Sequence, residues 1–378
     1  MKSIAIICFD FHATHIRSQP WHMAHGLAKG LKKESFNVKL FTDVEDVPDT
    51  DYPIQSVKAL FHRSQPSSWL LNALNDYQPS SIFVFIGSHE LLTPKRFHLL
   101  GAVQLVICNA RFTLSELFRI SASDYWAEWT LLIRPLLASL IPSWVLRYGF
   151  RKSGAENLVY VSVAAQQRYS NLGLPKGTVL IPAVDKEHYQ VNYEHPKAVG
   201  AERVICYFGP PLQLRGVNLT IGAFEVAAEK ERNLRLKLLL RLNGEPYTKA
   251  KFDNLSKKAS QSKYSDRIEV VAKHMSASEL KAELQHVDVF LLPFKLTVSD
   301  SPLVTIEAGL AGKPIVALKT PGVDEFIKIF GGVSVPNAGD LGEGILKALT
   351  INTRINDAEQ WVDWSSSVKP LIDKLLHE

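Results

Sequence analysis

The chain reads as an α/β fold in two domains, each built around a parallel sheet. Three observations predict this. Apolar runs of strand length alternate with amphipathic stretches almost from end to end, the pattern of parallel strands with crossover helices. One segment, residues 184–201, loses that periodicity and carries Pro196 and Gly200, which marks a linker. The length of 378 residues also exceeds what one core usually serves.

In the first half, strands are expected at Ile4 to Phe9, Asn37 to Phe41, Ile82 to Ile86, Val103 to Cys108, Leu158 to Val163 and Thr178 to Ile181. Helices are expected at Trp21 to Lys33, Ser68 to Asp76 and Ala164 to Leu172. After the linker the strands are Val204 to Phe208, Leu236 to Arg241, Ile268 to Val271, Val287 to Leu292 and Ile315 to Leu318. The helices between them are Leu219 to Glu231, Lys249 to Ser260, Ser278 to Leu284 and Leu303 to Leu310. The domains are therefore set at 1–190 and 201–355, with a terminal helical stretch at 356–378.

Composition is that of an ordinary globular protein, 46% hydrophobic and 21% charged. The formal charge of +5 favours anionic partners, but the basic residues are dispersed and no basic-aromatic array points to nucleic acid. Cys8, Cys108 and Cys206 each lie in an apolar run, which suits reduced core thiols in a cytoplasmic protein. The first apolar run is too short for a signal peptide, and Leu131 to Leu146 falls short of the ~20 apolar residues a spanning helix needs.

Val287 to Pro293, Ser299 to Ala308 and Ala311 to Ala317 form the most informative stretch: buried strand, polar loop, helix, glycine stop, buried strand. That order puts Ser299 to Val304 at a strand's carboxyl end and a helix amino terminus. The amides of Leu303 and Val304 and the helix dipole there favour a phosphate. Glu307, one turn in, is placed to accept hydrogen bonds from ligand hydroxyls. The second domain's opening strand ends at Gly209, and Arg215 follows at a helix entrance, where its fork of donors suits a diphosphate. Alone that loop is weak evidence; paired with the 299–307 segment at one sheet edge it becomes a site.

These residues resemble the retaining glycosyltransferases of family 4, whose fold is called GT-B: two Rossmann-like domains facing each other across a cleft. The family's Gly-Arg-Leu-x-x-x-Lys-Gly pattern is matched at Gly209 and Gly216, with Arg215 for lysine and Pro210 for the arginine. The likeness continues through Val161-Ser162, Ile181 to Asp185, Glu307-Ala308, Gly312-Lys313-Pro314 and Pro321 to Glu325, about half the chain. The family's paired glutamates fall on Ser299 and Glu307, with Asp300 adjacent to the first position. The resemblance implies that Glu307 meets the nucleotide ribose and that Asp300 or Glu325 faces the donor sugar. It also implies a terminal helix returning to the first domain.

In the first domain, His15 and Arg17 follow strand one, His89 follows the third strand and Asn109 the fourth, all expected at the cleft. His89 would hydrogen-bond a sugar hydroxyl or move a proton; a turn or capping role is the plainer reading. The i,i+3 pairs His12/His15 and His22/His25 have chelating spacing but no further ligands at matching positions, so no metal site is assigned. Asp49-Thr50-Asp51 sits in an acidic, proline-flanked loop and is also rejected. Trp126 to Lys152, rich in Trp, Leu and Arg, reads first as an internal helical pair interrupted by Pro135 and Pro142. Peripheral contact with the inner face of a membrane is the alternative.

The expectation is a cofactor-free enzyme moving a sugar from a nucleoside diphosphate sugar, UDP- or GDP-linked, to a glycan, lipid-linked or other hydroxyl acceptor. Pro210 and the missing first glutamate support a second reading, a catalytically inactive relative acting as a binding or scaffolding subunit.

Overall fold

The structure is a computed structural model and describes residues 2–16, 18–92, 95–184, 200–241, 246–273, 275, 277–351, 361 and 363–377. The first domain runs β1 (Ser3–Ile7), α1 (Trp21–Lys33), β2 (Asn37–Thr42), β3 (Ile54–Ser56), a small hairpin of β4 (Phe61–His62) and β5 (Gln65–Pro66), α2 (Ser68–Tyr77), β6 (Ser81–Ile86) and β7 (Val103–Ile107). It continues through α3 (Leu114–Leu117), α4 (Ala122–Ala127), α5 (Trp129–Leu140), α6 (Ser143–Ser153), β8 (Asn157–Tyr160), α7 (Val163–Asn171) and β9 (Thr178–Val179). Seven strands form one sheet in the order β3-β2-β1-β6-β7-β8-β9. Every neighbouring pair is parallel.

The second domain comprises β10 (Arg203–Gly209), α8 (Val217–Lys230), β11 (Leu234–Leu240), α9 (Pro246–Ser260), β12 (Ile268–Ala272), α10 (Ala277–Gln285), β13 (Val289–Leu292), α11 (Leu303–Leu310), β14 (Ile315–Leu318), α12 (Pro321–Phe330), β15 (Gly332–Val335) and α13 (Leu341–Ala348). Its six strands are also parallel, ordered β12-β11-β10-β13-β14-β15. In both sheets the first strand is central and the order reverses beside it. This reversal leaves a crevice at the carboxyl ends, between β1 and β6 in one domain and β10 and β13 in the other.

Strands buried on both faces must be apolar throughout. Ile4 to Cys8 and Val289 to Leu292 are fully buried, while helices fill both sides of each sheet. Local caps set the helix starts. Ser67 accepts from the Leu70 amide at 3.1 Å to open α2, and Ser162 accepts from the Ala165 amide at 2.9 Å to open α7. The second cap explains a difference from the sequence reading: β8 ends at Tyr160 because Ser162 already begins the helix, so Val163 is not a strand residue.

A last helix, α14 (Trp364–His377), packs on the first domain. Trp364 lies against Gly26 of α1, where a Cβ would come within 1.9 Å of the indole. Val368, Leu371 and Leu375 join Met23, Leu27 and Leu31 in one core, and Lys33 pairs with Asp363 at 2.8 Å. The linker and Asp185 lie outside the described residues, as do residues 352–360.

The edge strands β3 and β15 and the small hairpin carried no sequence signal, being too short for a period to show. The Pro321 to Glu325 motif opens a full helix, α12, with Pro321 at its start, where a missing N–H costs nothing. Cys8, Cys108 and Cys206 are free and buried.

Candidate active site

Two loops of the second domain converge at the crevice between β10 and β13. The first begins at Gly209, whose φ of 138° is a conformation side chains disfavour. It ends at Gly216, with φ 71° and no room for a side chain: a Cβ would sit 1.9 Å from the Pro293 carbonyl oxygen, just beyond β13. The loop is thus pressed onto the neighbouring strand, and Arg215 is fixed at the crevice. Its guanidinium lies over Phe294, 5.4 Å from the ring centroid. Burial lowers the Arg215 pKa, Tyr207 and Glu307 oppose that, and Arg241 adds to it. Tyr207 braces the loop by donating to the Pro210 carbonyl at 2.7 Å.

Arg241 was missed in the sequence. It directly follows β11, whose Leu240 pairs with Gly209, and its amide donates to the Gly209 carbonyl at 2.9 Å. The signal available was its place as the last residue of the strand expected at Leu236 to Arg241. Two arginines at one strand edge concentrate positive charge, with Glu307 and, more weakly, Glu128 the carboxylates that act on Arg215.

The second loop leads into α11. Pro302 occupies the N-cap position, and no side chain caps this helix, so the amides of Leu303 and Val304 open its first turn. Ser299 accepts from the Ser301 amide at 3.2 Å and closes its own loop. Asp300 is turned inward. It is 2% exposed, and its Oδ1 lies 3.4 Å from Arg168 Nη1 of α7, which also contacts Glu116 at 3.3 Å and the Arg111 carbonyl. Burial pushes the Asp300 carboxyl up to about 6, against the pull of Arg168. Its carbonyl is packed under Gly322, where a Cβ would come within 2.1 Å.

Glu325 spans the two domains. Its carboxylate oxygens accept from the Val163 amide at 3.1 Å and the Ala164 amide at 2.9 Å, capping α7 from across the cleft. Gln19 donates to the Ser301 carbonyl at 2.9 Å, and the Ala110 amide to the Val298 carbonyl at 2.9 Å. Glu128 accepts from the Gln213 and Leu214 amides at 2.5 and 3.0 Å and pairs with Lys251 at 2.9 Å. Sequence reasoning singled out neither Arg168 nor Glu128, because each acts on a partner distant in the chain.

Among the first-domain candidates, His89 folds its ring over Gly87 in the turn after β6. Asn109 staples that turn to the end of β7, accepting from the Ser88 amide at 2.8 Å and donating to Ser88 Oγ at 3.1 Å. His15 stacks on Trp21 at 4.5 Å, and His12 and His15 both face Asp10, at 3.0 and 3.6 Å. Arg17 lies outside the described residues. His22 bonds the Ala183 carbonyl and His25 the Tyr52 hydroxyl, so the i,i+3 spacing serves packing on α1. Among the described residues no group of three or more metal-ligating side chains comes together.

Two Rossmann-like domains facing each other define the GT-B fold of glycosyltransferases. Residues 194–363 match the family model described as glycosyl transferases group 1. Over its whole length the chain is similar to solved structures at low identity. HepE of Anabaena, solved with UDP, superposes with a TM-score of 0.66 at 14% identity, covering 100% of both chains. The α,α-trehalose 6-phosphate synthase of Burkholderia multivorans gives 0.63 at 12% identity, with 100% of this chain and 98% of that one covered. Sucrose-phosphate synthase of Thermosynechococcus elongatus gives 0.60 at 13%, with 99% and 95% covered. A search of curated protein sequences finds no match.

Proposed function

We propose that the protein transfers a sugar, with retention of anomeric configuration, from a UDP- or GDP-linked donor to a hydroxyl acceptor, a glycan or a lipid-linked one. The observation that carries this is the convergence of Arg215, the Leu303 and Val304 amides and Glu307 on one crevice. The arginine pair and the helix dipole would stabilise charge developing on a departing diphosphate, which makes the reading metal-independent. Glu307 would hold the ribose, and contacts from the first domain would exclude water from the bond being broken. HepE, solved with UDP and with UDP-glucose, supports a uridine donor. The reading places the protein in the cytoplasm, peripheral at the inner membrane face when the acceptor is lipid-linked.

A panel of UDP, GDP, ADP and their sugar conjugates, read by thermal shift, tests this. A nucleotide at ~100 times its dissociation constant adds ~2.7 kcal/mol to stability. Arg215→Ala and Glu307→Ala should each weaken binding at least about tenfold, since each removes a charge-assisted contact. Unchanged affinity in both would sink the site. A second reading, a non-catalytic binding subunit, is favoured by one observation: Asp300 and Glu325 are both engaged between the domains. Sugar transfer or donor hydrolysis, followed by proton NMR of the anomeric product, decides between them.

A further inference from the structure

Phe118 and the helices α4 to α6 leave a large apolar surface that none of the described residues covers. Phe118 is 85% exposed, Trp126 80%, Trp144 65% and Leu140 61%, and Trp129 and Leu137 are each more than half exposed. Single exposed apolar residues are common; this many within one short segment mark a binding surface. The opposite faces are committed to the protein. Leu132 and Ala138 of α5 are buried, and so are Leu146 and Phe150 of α6. Among the described residues no single helix is long and apolar enough to cross a membrane, and α5 and α6 meet at 91°. Of the two prolines expected to interrupt the segment, Pro142 does so, as the N-cap of α6 at the bend, whereas Pro135 sits inside α5 without ending it.

Charge identifies what the surface fits. Between Phe118 and Ser153 the only acids are Asp124 and Glu128, and both are buried and paired with cations of the second domain, Lys295 and Lys251. Among the described residues the exposed charges there are Arg147, Arg151 and Lys152, with Arg119, whose guanidinium donates to the Lys319 carbonyl. Tryptophans beside outward cations, with every acid withdrawn, match the interface of an anionic bilayer.

We propose that the exposed face of α4 to α6 docks on an anionic lipid bilayer and thereby presents a lipid-linked acceptor to the site. This deepens the acceptor assignment above and rests on it. Leu140 belongs both to this face and to a cavity of about 250 Å³ that Arg111 and Arg168 also line. The polar head of an amphiphile held at the bilayer therefore lies beside Arg168, the partner of Asp300. The reverse side of the platform is tied to the donor loop, where Glu128 accepts from the amides of Gln213 and Leu214, next to Arg215.

Co-sedimentation of the full chain with phosphatidylcholine vesicles, with and without phosphatidylglycerol, tests the proposal. Binding is expected to the anionic vesicles and to weaken with salt. Two variants, Trp126→Ser/Trp129→Ser/Trp144→Ser and Arg147→Glu/Arg151→Glu/Lys152→Glu, should each bind about tenfold more weakly or worse. Both sets lie at exposed positions, so each variant should keep the parent's circular dichroism and its UDP-induced thermal shift. Failure of the parent to bind anionic vesicles, or full binding by the tryptophan variant, overturns the proposal. So does light scattering that shows a dimer dissociated by the tryptophan changes, because a second copy would then be the occupant. Vesicle binding without any nucleotide-induced shift leaves the docking surface standing and removes the donor reading instead.

Discussion

Asp300 holds a charge the fold resists. Its carboxyl is raised from 3.8 to about 6 by burial, even with Arg168 3.4 Å away. For an acid whose pKa is higher folded than unfolded, the folded state binds more protons between the two values. Stability from this group therefore falls as pH rises through the window of about 4 to 6. Asp300→Asn should be more stable than the parent at neutral pH, by up to about 3 kcal/mol, with the difference closing near pH 4. Urea unfolding at both pH values measures this; a variant less stable at neutral pH would show that the Arg168 pair outweighs desolvation. In sequence, Asp300 stood out because it neighbours an expected glutamate position. Its burial was invisible there, because Arg168 comes from the other domain.

At the scale of elements, the approach of the Arg215 loop to β13 is enforced by a missing side chain. Gly216→Ala would meet the Pro293 carbonyl and force a φ of 71° on alanine, so it should destabilise the protein by several kcal/mol and displace Arg215. Gly222, further along α8, has nothing within 4 Å of its would-be Cβ, and Gly222→Ala should stabilise the helix by about 1 kcal/mol. Thermal melts of the two variants, with and without nucleotide, read both effects. The interior strands and α1, α11 and β14 were legible because parallel strands buried on both faces write continuous apolar runs, and the helices between them keep a period. The edge strands β3 and β15 were not, since a half-buried segment of three or four residues shows no period. The platform helices were legible as helical but not as outward-facing, because what buries one side and bares the other is distant sequence.

For the whole molecule, the domains exchange carboxylates: Glu325 of the second accepts from first-domain amides, and Glu128 of the first from second-domain amides. Glu325→Ala removes the cap that α12 supplies to α7 and should cost about 1–2 kcal/mol. It should also raise the radius of gyration in small-angle scattering as the cleft loosens. An unchanged scattering profile would assign cleft closure to the Glu128 and Asp124 pairs instead. The two sheets were readable from the two series of alternating apolar runs and amphipathic stretches. The closing contacts were not, because they join residues far apart in sequence, 162 in the case of Glu325 and Val163.

The position of α14 carries a consequence for how the chain comes to be folded. Trp364 fills the groove over Gly26 and Gly30, and Val368, Leu371 and Leu375 complete a core begun by β1 and α1. During synthesis the first domain emerges first, yet its core is finished only by residues made after the whole second domain. The second domain can settle as a continuous unit, while the first waits with an open apolar groove until α14 has been made. The domain that begins the chain is therefore the last to be sealed.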